Sequence, residues 1–118
     1  MLVVDDQAPF RTAVKAVLRR LACFELAAEA SGGPEAIRLV DELHPELVLM
    51  DINMPQMNGI EATRRIIAAH PEVVVFLCST YDRTDLPRDA AASGARAYVN
   101  KEQFGATILQ RLWDEHGS

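Results

Sequence analysis

The feature that most constrains this chain is an alternation of five short apolar runs with segments whose apolar residues recur at helical spacing. Met1–Val4, Phe24–Glu29, Leu47–Met50, Val73–Cys78 and Ala97–Val99 read as strands. Phe10, Val14, Val17, Leu18 and Leu21 form one helical stripe. Ala36, Ile37, Val40 and Leu43 form a second, and Ile60, Thr63, Ile66 and Ile67 a third. Asp85–Ser93 reads as a short alanine-rich helix, interrupted near its start by Pro87 and stopped by Gly94. Phe104, Ile108, Leu109 and Leu112 mark the last helix, which extends through Trp113. Pro9 and Pro34 fall in first helical turns, where a missing N–H costs nothing, and His44-Pro45 and His70-Pro71 close two helices. Strands that are apolar throughout are covered on both faces. With right-handed crossovers, the alternation predicts an α/β fold: an open, doubly wound, five-stranded parallel sheet with five helices. Residues 1–118 read as one domain.

Composition narrows the function classes. The net charge of −5 argues against binding nucleic acid through general electrostatics. No apolar run is long enough to span a membrane, and Asp5-Asp6 directly follow Val4 where a secretory leader would continue. Cys23 and Cys78 form no CxxC pair and read as small hydrophobes in a reducing, cytoplasmic setting.

In such a sheet, ligands meet the carboxyl ends of the strands. Asp5 and Asp6 follow the first strand there, Asp51 the third, Ser79 and Thr80 the fourth, and Lys101 the fifth. Clustered carboxylates repel unless a cation neutralises them, and oxygen donors without histidine or cysteine suit Mg²⁺, with Mn²⁺ as a substitute. Asp5-Asp6 alone would read as a solvated turn, and Lys101 alone as a strand-end lysine. Together with Asp51 they point to a carboxylate nucleophile that forms an aspartyl phosphate. Phosphoryl transfer asks a protein mainly for positioning and charge neutralisation, and Mg²⁺, Lys101 and the Ser79 hydroxyl can each take one phosphoryl oxygen.

The segments Val3-Val4-Asp5-Asp6, Leu49 to Gly59, Leu77-Cys78-Ser79-Thr80 and Gly94 to Lys101 resemble the receiver domain of two-component response regulators. The Asp51-Ile-Asn-Met-Pro-Gln-Met-Asn-Gly59 stretch is the most specific of them. The resemblance implies a flavodoxin-like fold with strand order 2-1-3-4-5. It implies Asp51 as phosphoacceptor, and Asp6, Asp51 and the Asn53 backbone carbonyl as Mg²⁺ ligands. Asp5 would bind directly or through a water. Lys101 would pair with the phosphate, and Ser79 and Tyr98 would be the switch pair. Tyr98 read by itself is equally a half-buried strand aromatic. The implied function is a phosphorylation-controlled switch that turns over no free metabolite. The implied partners are a sensor histidine kinase and an output domain beyond Ser118 or a separate effector. A phosphorylation-dependent homodimer joins them, with no direct nucleic-acid or membrane contact. Glu102 stands where many receivers have proline, which puts the backbone entering the last helix in question.

Three other classes fit less well. A haloacid-dehalogenase-like phosphatase needs a second aspartate two residues after the nucleophile, and Asn53 stands there. A receiver-like interaction module that works without phosphorylation would have lost Asp51, Lys101 or the acidic pair. A dinucleotide-binding domain would show Gly-x-Gly-x-x-Gly after the first strand.

Overall fold

The computed structural model describes residues 1–80 and 88–117. Five strands, β1 (Leu2–Val4), β2 (Ala28–Ala30), β3 (Leu47–Asp51), β4 (Val74–Ser79) and β5 (Ala97–Asn100), form one parallel sheet in the order β2-β1-β3-β4-β5. Four helices of 11 residues, α1 (Ala8–Leu18), α2 (Gly33–Leu43), α3 (Gly59–Ala69) and α5 (Ala106–His116), and a five-residue helix, α4 (Arg88–Ala92), connect and flank them. The expected fold and strand order match; four helices are full, and of the fourth only the five residues Arg88–Ala92 are helical among the described residues. Its expected start at Asp85, and Pro87, lie outside the described residues.

Alternate residues of each strand enter two separate cores, as the pleat requires. Val4, Met50, Val75 and Leu77 pack with Ala36 and Val40 of α2, Ile60 and Ile66 of α3, and Ala90 of α4. Val3, Leu49, Phe76, Cys78 and Val99 pack with Val14 and Leu18 of α1 and Leu109 of α5. Helices therefore cover both faces, which leaves the carboxyl edge of the sheet as the open place where polar groups can gather.

The expected second strand, Phe24–Glu29, is displaced: β2 begins at Ala28. Phe24 and Leu26 instead pack against the α1–α5 core, with Phe24 edge-on to Trp113 at 6.0 Å. Helix ends follow the expected punctuation. His44 closes α2 in the left-handed conformation (φ 48°), and Gly94 (φ 94°) follows α4. The junction opened to question by Glu102 is a 3-10 turn, Lys101–Gln103, capped by the Asn100 side chain, which accepts from the Glu102 N–H at 2.8 Å. No helix among the described residues is long and apolar enough to cross a membrane.

Candidate functional site

β1 ends at Val4, so Asp5 and Asp6 emerge at the carboxyl edge, and β3 brings Asp51 beside them. One oxygen from each of the three carboxylates lies within 4.8 Å of the others. Asp5 and Asp51 are buried and Asp6 is exposed. Lys101, at the start of the 3-10 turn after β5, places Nζ 2.5 Å from Asp5 Oδ2 and 3.1 Å from Asp51 Oδ1. Burial pushes the Asp51 carboxyl up to about 6, and the charge of Asp5 adds to this against the opposing pull of Lys101. Burial alone would lower the Lys101 pKa, but its contacts with Asp5 and Asp51 outweigh that, so it is raised and the amine stays charged.

Asp5 is tied down on one side only. Its Oδ1 accepts from the Gln7 N–H at 2.8 Å, while its buried Oδ2 faces Lys101 as an ion pair without an aligned hydrogen bond. The donor set is all oxygen, and Lys101 pairs with two of the three carboxylates, Asp5 and Asp51. That combination fits a hard divalent cation. Arg11 of α1 braces the edge from behind: Nη1 donates to the Asp5 carbonyl oxygen at 2.6 Å and Nε to Glu29 at 3.1 Å. Lys15 also pairs with Glu29, at 2.6 Å, and with Arg11 it holds the Glu29 carboxyl below its usual range.

The segment from Asp51 to Gly59 is shaped by packing as much as by chemistry. Ile52 is fully buried, and Met54 and Met57 pack against the α2–α3 core. Asn53, Pro55, Gln56 and Asn58 are exposed. Asn58 caps α3 by accepting from the Ile60 N–H at 2.7 Å. Gly59 N–H donates to the Ile52 carbonyl at 2.9 Å, and a Cβ at Gly59 would lie 1.9 Å from the Asp51 carbonyl oxygen. Only glycine fits there without moving the backbone of Asp51.

Ser79 ends β4, buried, and its Oγ lies 2.7 Å from the Tyr98 hydroxyl. The sequence-predicted switch pair is thus in direct contact, with Tyr98 turned inward and packed against the α2–α3–α4 core. Thr80 is exposed beyond the strand. Lys101 also lies over the Phe10 ring, 4.8 Å from its centroid. The sequence reading placed Asp5, Asp6, Asp51, Ser79, Thr80 and Lys101 at this edge, and the family resemblance added Tyr98 as the partner of Ser79. It passed over Arg11, Phe10, Asn58, Gly59 and Asn100 as supports. Only Asn58-Gly59, a capping residue before a helix, carried a local signal.

The family model for the response regulator receiver domain matches residues 1–112. This chain belongs to the response regulator receiver domain family. The receiver domain is 36% identical over 112 residues to the transcriptional regulatory protein DegU of Brevibacillus brevis, covering 95% of this chain but 48% of DegU. It is also 36% identical to the chemotaxis protein CheY of Listeria monocytogenes, covering 95% of this chain and 93% of CheY. The receiver domain therefore spans about half of one relative and nearly all of the other. Among solved structures, it superposes on a DNA-binding response regulator of the LuxR family from Staphylococcus aureus with a TM-score of 0.87. That match has 27% identity and covers 99% of this chain and 98% of that one. It also superposes on a chain of the CheX–CheY–BeF3–Mg²⁺ complex from Borrelia burgdorferi with a TM-score of 0.85. There the identity is 26%, over 97% of this chain and 86% of that one. The receiver domain is a component of a two-component system, in which receivers interact with histidine kinases and output domains.

Proposed function

We propose that this receiver domain is switched by phosphorylation of Asp51. The observation that carries the reading is the Lys101 ammonium held between Asp5 and Asp51, with Asp6 beside them. Asp6, Asp51 and the Asn53 carbonyl would hold Mg²⁺, with Asp5 as a direct or water-mediated ligand. Mg²⁺, when bound, neutralises the carboxylates and the phosphoryl oxygens. A phosphohistidine on a partner kinase is the donor. The Asp51 carboxylate oxygen attacks phosphorus in line; the new O–P bond forms as the P–N bond breaks, and the electron pair stays on the donor imidazole. Lys101 pairs with one phosphoryl oxygen, and the Ser79 hydroxyl donates to another. The domain catalyses only its own phosphorylation and dephosphorylation, in the cytoplasm. Its output goes through a further domain or a separate effector, and through a homodimer where phosphorylation drives one.

The test is incubation with Mg²⁺ and acetyl phosphate, followed by mass spectrometry. The intact chain gains one phosphoryl group and Asp51→Asn gains none. Stoichiometric labelling of the variant, with the acid and base lability of a serine ester, would sink the assignment. An intact chain that never gains mass would point to an interaction module working without phosphorylation.

A further inference from the structure

Lys101 faces a difficulty that its ion pairs do not solve. Its Nζ is held by Asp5 at 2.5 Å and Asp51 at 3.1 Å. Phosphorylation, on the reading above, turns Asp51 into an acyl phosphate and draws Asp5 toward the cation. Both anionic anchors are then altered at the step for which the ammonium must stay in place. A four-carbon stem with many rotamers does not stay in place by itself.

The third contact survives that exchange. Phe10, in the first turns of α1, presents its ring face to Nζ at 4.8 Å from the centroid. The ring is itself oriented by Phe104, whose centroid lies 5.7 Å away at an interplanar angle of 63°, edge to face. Phe104 directly follows the 3-10 turn that begins at Lys101, and that turn is fixed by the Asn100 cap. Phe10, Phe104 and Asn100 thus fix the lysine from both sides, the ring from α1 and the backbone from β5. A ring attracts a cation through its quadrupole and carries no charge. It holds the ammonium without competing for the phosphoryl oxygens and without adding to the repulsion among the three aspartates.

We propose that Phe10 is a positioning residue for Lys101, a neutral clamp that keeps the ammonium at the site while its anionic partners change. The proposal rests on the phosphoacceptor reading for its purpose but not for its geometry. Three variants separate the ring's charge distribution from its bulk. Phe10→Leu keeps an apolar surface for the lysine stem and removes the quadrupole; Phe10→Tyr keeps both; Lys101→Ala removes the cation.

Two measurements decide it. The first is the proton–carbon NMR shift of the Lys101 Cε methylene in the metal-free chain. The ring face should move its protons upfield, Phe10→Tyr should preserve the shift, and Phe10→Leu should abolish it with the remaining methyl resonances unchanged. The second is calorimetric binding of beryllofluoride, a stable mimic of the phosphoryl group, in Mg²⁺. Phe10→Leu should weaken binding roughly three- to tenfold, the size of a partly desolvated cation–π contact, and Phe10→Tyr should restore it. In the Lys101→Ala background Phe10→Leu should weaken binding no further. An unshifted Lys101 methylene, or an equal loss with and without Lys101, would overturn the clamp. A chain that shows the shifted methylene but binds no beryllofluoride would overturn the phosphoacceptor reading and leave the clamp standing.

Discussion

Asp51 is held in a place that resists its charge. It is buried, Asp5 faces it, and Lys101 compensates only in part, so its carboxyl is pushed up to about 6 from an ordinary 3.8. Between those values the native carboxyl keeps a proton that the unfolded chain has released. The native state then binds more protons, and stability falls as pH rises through that window. At neutral pH the ionised carboxylate is therefore a standing cost in the metal-free fold. Asp51→Asn should stabilise the metal-free chain by about 1–2 kcal/mol near pH 7 and by much less near pH 4. Urea unfolding with chelator at both pH values measures it; equal gains would mean that the charge is not the cause. Gly59 is the residue that lets this aspartate sit where it does. Gly59→Ala should cost more than about 2 kcal/mol, because its Cβ would press on the backbone carbonyl of Asp51, which cannot yield. Gly33→Ala should cost less, since its Cβ would meet the Met57 side chain at 2.9–3.1 Å, Met57 Cβ nearest, rather than a backbone carbonyl at 1.9 Å. Thermal melts of the two variants rank them. Asp5, Asp51, Ser79 and Lys101 were legible in the sequence because each ends an apolar run, and the sheet brings run ends together. Arg11 and Phe10 were not, because their partners come from other elements and no local pattern marks such a contact.

Among the elements, legibility followed burial. β3 and β4 are buried along their whole length and read correctly to within one residue. β2 is a three-residue edge strand, Ala-Glu-Ala, with little intrinsic strand preference. Its place is set by pairing with β1 and by the Arg11 and Lys15 contacts to Glu29, while the stronger apolar signal of Phe24 and Leu26 belongs to the loop before it. α4 is described from Arg88 to Ala92, and Gly94 at φ 94° follows its C-terminal end. The β5–α5 junction shows how a missing sequence signature is replaced. Asn100 caps the 3-10 turn that starts at Lys101, so rigidity comes from a side-chain hydrogen bond rather than from a proline after the lysine. Asn100→Ala should lower stability by about 1 kcal/mol and weaken beryllofluoride binding, while Asn100→Asp, which keeps the acceptor, should retain most of both. Loss of stability with binding unchanged would separate the turn from the site.

For the whole molecule, the site is a seam. It joins the ends of β1 and β3 and the turn after β5, with α1 braced behind, so a ligand bound only by the folded chain stabilises all of these elements together. A cation held at the acidic cluster should raise stability by about 2.7 kcal/mol at a concentration 100 times its dissociation constant. The pH dependence then has two opposing slopes. Without metal, stability falls as pH rises from 3.8 through about 6, because Asp51 must ionise against burial and against Asp5. With Mg²⁺ in excess the ionised carboxylate is the form that binds, so proton and metal compete, and the added stabilisation fades as pH falls through about 6. Melting temperatures measured from about pH 5 to about pH 8, with Mg²⁺ and with chelator, should therefore draw together toward the acid end and separate above pH 6. Asp6→Asn should raise the chelator curve, by relieving one like charge, and lower the Mg²⁺ curve, so that the gap shrinks from both sides. Asp51→Asn should nearly abolish the gap and flatten what remains of it against pH. A gap of constant width across the range in the intact chain would show that the cation does not compete with the Asp51 proton, and would remove Asp51 from the metal site.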